Sequence, residues 1–191
     1  KDDVWHSADG TSWTLATAAA TGKPRMNAAV FAHDGRIWLA GGFAMKGLTT
    51  PLCFNDVWSS ADGTSWSQPT VSGIWPGRRP AASLVFNNKM WIIGDADSRK
   101  GDVWYSGDGA KWAEATSSTL WSPRSDYAVA GFGGKLWVTG GYTLKNNVRK
   151  DRNDVWRSYT GKVWQNAVGS AFWAPRSGHT MAVFNNSLWL M

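Results

Sequence analysis

Four arginines, Arg25, Arg78, Arg124 and Arg176, recur at one position of an internal repeat, and three of them follow a tryptophan by three residues: Trp75, Trp121 and Trp173. The first copy has Gly22 in place of that tryptophan. Guanidinium groups offer forked donors to carboxylates and other oxyanions, and indole rings offer broad stacking area. Two further candidates, Tyr127 and His179, each lie three residues after one of these arginines, and Arg149 lies within a basic run from Lys145 to Arg152. This chemistry is recognition of a protein, an acidic peptide, a sugar chain or another anionic ligand. A second reading of the same residues stays open, in which the arginines bond to carbonyls of an adjacent repeat and the extra tryptophans cap the core.

Catalytic chemistry finds thin support. Glu114 is the one glutamate, Cys53 the one cysteine, and the histidines are His6, His33 and His179. One cysteine forms no internal disulfide and no cysteine metal cluster. Nucleophile-elbow, zinc-helix, phosphate-loop and dinucleotide patterns are all missing. The residues assign no catalytic group, no metal and no cofactor. The 191 residues carry a net charge of +6, which suits an anionic partner, but no nucleic-acid reading motif accompanies it. No apolar run reaches the roughly 20 residues of a membrane-spanning helix.

What positions these groups is a repeat of constant internal spacing. Asp-Val-Trp occurs at 3–5, 56–58, 102–104 and 154–156. A second tryptophan follows each of these by eight residues (Trp13, Trp66, Trp112, Trp164), the arginine comes twelve later, and a third tryptophan thirteen after that (Trp38, Trp91, Trp137, Trp189). All length variation falls between the third tryptophan and the next Asp-Val-Trp, where the gaps are 20, 13 and 19 residues. Loops absorb insertions and packed strands do not, so this connection is where copies diversify.

Each copy reads as four short strands, a to d. In the third, strand a covers 127–132, b covers 135–139, c covers 154–158, and d lies around Trp164. Asp-Gly, Asn-Asn and Gly-Gly pairs supply the positive φ that two-residue hairpins need. No 3.6-residue periodicity persists, so helix is not expected. A four-stranded meander repeated in this way buries both faces by radial stacking, which makes an all-β propeller, with the tryptophans filling the space between sheets. The expected organisation is one domain over 1–191: a c–d pair at 3–16, repeats at 25–68, 78–115 and 124–167, and an a–b pair at 176–191. Three arrangements remain open: four blades with one split, two copies paired into eight, or part of a larger ring. Connections alternate between faces in a meander, so the d–a and b–c segments share a side. That side carries 13 of the 20 Lys and Arg.

The Pro123-Arg124 pair, Gly140-Gly141, Trp156 and Trp164 resemble the pattern of kelch-repeat propellers over essentially the whole chain. Copy two departs from it at Gly77-Arg78 and Gly94-Asp95. The turns at 7–13 and 60–66, Ser-Ala-Asp-Gly-Thr-Ser-Trp, resemble a shortened Asp-box of sialidase propellers. The resemblance implies a non-catalytic binding or scaffold propeller, in which arginine at this position captures acidic peptides. It implies, as the alternative, a carbohydrate-binding or carbohydrate-active propeller. Copper held by two Tyr and two His, or a sialidase Tyr–Glu pair, would belong to the enzymes of that second class. Resemblance to exported bacterial members implies an extracellular or periplasmic location. The partner expected is a protein, a peptide or a glycan, with self-association to complete a larger ring.

Overall fold

The computed structural model describes residues 1–46, 50–70, 75–96 and 100–191. Arg99, one of the 13 Lys and Arg placed on the d–a/b–c side, lies outside the described residues. Among the described residues there are twenty β-strands and no helix.

Three antiparallel meanders of four strands carry the repeats. The first comprises β3 (Ala29–His33), β4 (Arg36–Ala40), β7 (Val57–Ser60) and β8 (Ser67–Thr70). The second comprises β9 (Pro80–Phe86), β10 (Lys89–Asp95), β11 (Val103–Ser106) and β12 (Ala113–Thr116). The third comprises β13 (Ala128–Phe132), β14 (Lys135–Thr139), β17 (Val155–Ser158) and β18 (Gln165–Val168). Four pairs form two-stranded sheets: β1 (Val4–His6) with β2 (Thr14–Thr17), β5 (Phe43–Lys46) with β6 (Thr50–Cys53), β15 (Tyr142–Lys145) with β16 (Val148–Asp151), and β19 (Met181–Phe184) with β20 (Ser187–Leu190).

The hairpin joining the first two strands is the same in every copy. Two residues make the turn, and both have positive φ: Asp34-Gly35, Asn87-Asn88, Gly133-Gly134 and Asn185-Asn186. This fixes the register His33↔Arg36, Phe86↔Lys89, Phe132↔Lys135 and Phe184↔Ser187. It also lets the tryptophan of the second strand donate its indole N–H to the last carbonyl of the first. The bonds are Trp38 to His33, Trp91 to Phe86, Trp137 to Phe132 and Trp189 to Phe184, all at 2.9–3.1 Å. A buried indole N–H needs a partner, and constant spacing delivers one.

The turn between the last two strands is held by side chains. Ser7, Ser60 and Ser158 Oγ accept from the amides of Gly10, Gly63 and Gly161 at 2.8–2.9 Å. Asp9 Oδ1 accepts from Thr11 and Ser12, and Asp62 Oδ1 from Thr64 and Ser65. Those backbone donors, Ser12 and Ser65 foremost, hold both carboxyls well below the usual carboxylate range.

By its internal contacts the chain divides into two compact units, Lys1–Arg79 with Asp108–Lys111, and Pro80–Gly107 with Trp112–Met191. The second has a core of Trp91, Ile93, Val103, Trp121, Tyr127, Leu136, Val138 and Trp164. Each fully buried indole removes on the order of 200 Å² from water, about 5 kcal/mol at most. Trp38, Trp91, Trp104, Trp112 and Trp164 fill interiors as expected. Trp5, Trp13 and Trp189 are about half exposed, because they lie on or beside hairpins that no four-stranded sheet completes.

The segments expected to be variable loops each contain a pair of antiparallel strands in two copies. In the third meander β15 and β16 pair Tyr142↔Asp151 through Lys145↔Val148 around Asn146-Asn147, whose φ values are 52° and 61°. In the first, β5 and β6 pair Phe43↔Cys53 through Lys46↔Thr50. The 20- and 19-residue gaps each hold one such hairpin.

Candidate functional site

Two of the repeated arginines, Arg25 and Arg124, are built into the sheets from which they arise. Arg25 Nη1 donates to Asp56 Oδ1 at 2.5 Å and to the Gly41 carbonyl at 3.0 Å, while Nη2 donates to Asp56 Oδ2 at 3.0 Å. Arg124 repeats this with Asp154 Oδ1 at 2.5 Å, Gly140 O at 3.0 Å and Asp154 Oδ2 at 2.9 Å. Each aspartate also accepts an indole N–H from two residues on, Trp58 or Trp156, at 2.8 Å. The Asp-Val-Trp signature thus encodes one carboxylate shared by an arginine fork and an indole. Trp104 to Asp102 and Trp5 to Asp3 repeat the indole half at 3.0 and 3.2 Å. These arginines bond to the aspartate and di-glycine carbonyl of their own sheet, not to an adjacent repeat.

Burial alone would raise the Asp56 and Asp154 carboxyls. Hydrogen bonds from the arginine and tryptophan, together with the arginine's charge, outweigh it and hold both below their ordinary value. The di-glycine is required by positive φ and by the backbone and side chains packed against it. Gly140 and Gly141 have φ of 57° and 83°, and a Cβ on Gly140 would lie 2.7 Å from the Arg176 carbonyl and 2.8 Å from the His179 ring.

The other candidates divide by exposure. Arg78 is 3% exposed, with its guanidinium 5.8 Å from the Trp75 ring centre, and Trp75 is itself buried. Trp121 lies inside the second unit, edge-on to Trp164 at 4.6 Å and Trp156 at 5.9 Å. Tyr127 is buried and donates its hydroxyl to the Ile93 carbonyl at 2.8 Å. His179, the equivalent residue of the next copy, is 2.9 Å from Thr139 Oγ1 through Nε2. Burial, and then the Arg176 charge, push its pKa below the ordinary value, while a hydrogen bond to Thr139 acts the other way. Trp173 is half-buried, its carbonyl accepting from Asn153 at 3.2 Å. Arg176 is half-buried and spends Nε on the Ala174 carbonyl at 3.2 Å.

Arg149 is the exposed member. It lies on β16 over the Tyr142 ring at 4.2 Å, reaches Asp151 at 3.2 Å and bonds to Ser177 Oγ. Lys145 and Lys150 on the same hairpin are exposed too. Arg149, Tyr142, Asp151 and Ser177 come together here, while the register places Lys145 and Lys150 on the other face of the hairpin. Arg25, Arg78, Arg124, Trp75, Trp121 and Tyr127 lie inside the protein.

Sequence reasoning missed Asp56 and Asp154 as partners. The available signal was an acid invariably two residues before a tryptophan, in a chain where an arginine recurs just as regularly. Glu114 is exposed on β12, His6 is exposed on β1 and His33 is buried at the end of β3. Among the described residues no three His, Cys, Asp or Glu side chains converge in a metal-binding group.

No protein-family model and no curated protein matches the sequence. Among solved structures, the chain is similar to that of YjhT, with a TM-score of 0.72 at 20% identity. The match covers 94% of this chain and 62% of that one, so the chain spans under two thirds of the length of that structure. At this identity the likeness shows the fold alone: the protein is an all-β propeller of four-stranded antiparallel sheets.

Proposed function

We propose that the chain is a non-catalytic binding module of kelch type that takes an acidic peptide or protein segment on the β15–β16 hairpin. The observation that carries this reading is the hairpin's exposed charge: Lys145, Arg149 and Lys150 stand in solvent. Asp151, which is paired with Arg149, is the one acid among residues 142–151. Arg149 is also held over Tyr142, so its position is set before a ligand arrives and less side-chain freedom is lost on binding. The sister hairpin β5–β6 instead exposes Met45 and Leu52, as expected if this connection is where specificity varies between copies. Fold alone assigns no activity, since propellers carry many unrelated functions.

The test is binding of a labelled poly-glutamate peptide by the wild-type chain and by the triple variant Lys145→Glu/Arg149→Glu/Lys150→Glu. Each exposed charge is worth about 0.5 kcal/mol, so the variant binds about tenfold more weakly at low salt. Wild-type affinity falls as salt is added. Equal binding by both chains sinks the proposal. A neutral glycan captured equally by both would move the assignment to the carbohydrate class.

A further inference from the structure

In the second unit, the residue directly before the repeat tryptophan is large, apolar and outside. Leu120 is 75% exposed ahead of the buried Trp121, and Phe172 is entirely exposed ahead of the half-buried Trp173. Leu120 stands between two complete four-stranded sheets, so the exposure belongs to this position of the repeat and not to an incomplete neighbour. Single apolar residues on a surface are ordinary. Phe172 differs in how its backbone is held and in what lies beside it.

Asn153 Nδ2 donates to the Ala171 carbonyl at 2.8 Å and to the Trp173 carbonyl at 3.2 Å, and the Ala171 amide donates to the Asn153 carbonyl at 3.0 Å. Both chain neighbours of Phe172 are therefore tied to one residue, and the ring is presented from a fixed backbone. From there the chain turns back along β16. The Arg176 amide donates to the Arg152 carbonyl at 2.9 Å, and Ser177 Oγ donates to Asp151 Oδ1 at 2.9 Å while accepting from Arg149. The Arg149 side chain lies on this Ser177 side of the hairpin and is 55% exposed. Asn153, which holds the Phe172 loop, is four residues beyond Arg149, or at most about 13 Å at the rise of an extended chain.

We propose that Phe172 is a specificity-determining contact of the β15–β16 surface, and that the acidic segment taken there carries an aromatic side chain about four residues from its acids. This inference rests on the acidic-segment reading of that hairpin. Opposite charge brings the acids to Arg149, with Lys145 and Lys150 on the far face of the same two strands adding to the attraction. About four residues of extended peptide then span the distance to the Phe172 loop. The two rings meet edge-to-face or offset, the arrangements that aromatic pairs favour. Exposed ion pairs are screened by salt and discriminate poorly between one acidic segment and another. A ring contact beside them supplies the discrimination, in the pattern of interfaces that place an aromatic anchor next to charged contacts.

Fluorescence anisotropy at low salt with two labelled peptides tests it: Glu-Glu-Glu-Glu-Ser-Gly-Ser-Trp, and the same peptide ending in Gly. The wild-type chain binds the Trp peptide about fivefold more tightly, the weight of one aromatic pair. Phe172→Ser holds the Gly peptide as the wild type does but binds the two peptides alike, and Phe172→Trp keeps the preference. Lys145→Glu/Arg149→Glu/Lys150→Glu weakens both peptides. A wild-type chain that binds the Gly peptide and gains nothing from Trp, or a Phe172→Ser chain that keeps the gain, would overturn this inference and leave the acidic-segment reading standing. Binding of neither peptide by the wild type would overturn both. Capture by phosphatidylserine vesicles that Phe172→Ser abolishes, with no preference between the peptides, would assign the ring to a lipid surface and overturn it as well.

Discussion

Replacing Asp154 by alanine lowers the stability of the second unit by about 3–5 kcal/mol, the usual cost of stranding a buried cation. The Arg124 side chain is 2% exposed and Asp154 supplies both oxygens of its fork. With the carboxylate gone, the guanidinium keeps the Gly140 carbonyl and Ser122 but has no counter-charge and no access to water. The Trp156 indole N–H loses its acceptor in the same step. The double variant Arg124→Met/Asp154→Leu recovers most of the loss, since replacing both charges removes the uncompensated one. Guanidinium unfolding followed by tryptophan fluorescence measures both. A cost below about 1 kcal/mol for Asp154→Ala would place Arg124 among ordinary surface pairs.

The same pair sets an acid limit. The Asp154 and Asp56 carboxyls are held below their ordinary value in the folded protein, so the unfolded chain binds protons first as pH falls. The stability they contribute is complete above the unfolded pKa of about 4 and is lost as pH drops through the lower folded values. Stability against pH therefore falls steeply below about pH 4, and the Arg124→Met/Asp154→Leu variant shows a shallower fall.

Much of this scaffold is legible in the sequence because its determinants are local. The two-residue turns at Asp34-Gly35 and Asn87-Asn88, and the indole bond five residues back along the chain, need nothing beyond the hairpin that contains them. The arginine–aspartate link is harder to see. Arg25 and Asp56 are 31 positions apart and Arg124 and Asp154 are 30 apart, with the inserted hairpin between them, so spacing alone does not pair them. The β15–β16 hairpin was hidden for another reason. Asn146-Asn147 is a two-residue turn like the others, but the strands beside it are polar and exposed, and hydrophobic alternation is the signal by which strands are read. Trp121 shows the limit for single residues. Its position beside Arg124 suits a ligand rim as well as a core, and only packing against Trp164 and Tyr127 decides.

The structure assigns a second large effect to Gly161. It lies in the turn between β17 and β18 at φ 74°, and a Cβ there would run into the six-membered ring of Trp91, which is 4% exposed. Gly134, in the same unit, has φ 70° with nothing within 4 Å of its Cβ position. Alanine pays the same backbone strain at both sites, about 1–2 kcal/mol. At Gly161 it also forces the indole out of its place, for a further 1–3 kcal/mol or so. Gly161→Ala is therefore expected to unfold at clearly lower denaturant than Gly134→Ala. Combining it with Trp91→Leu, which shortens the side chain that clashes, makes the two losses less than additive. Equal costs at Gly161 and Gly134 would mean that the ring yields freely, and Trp91 would then be a filler of space instead of the fixed contact on which this part of the core is registered.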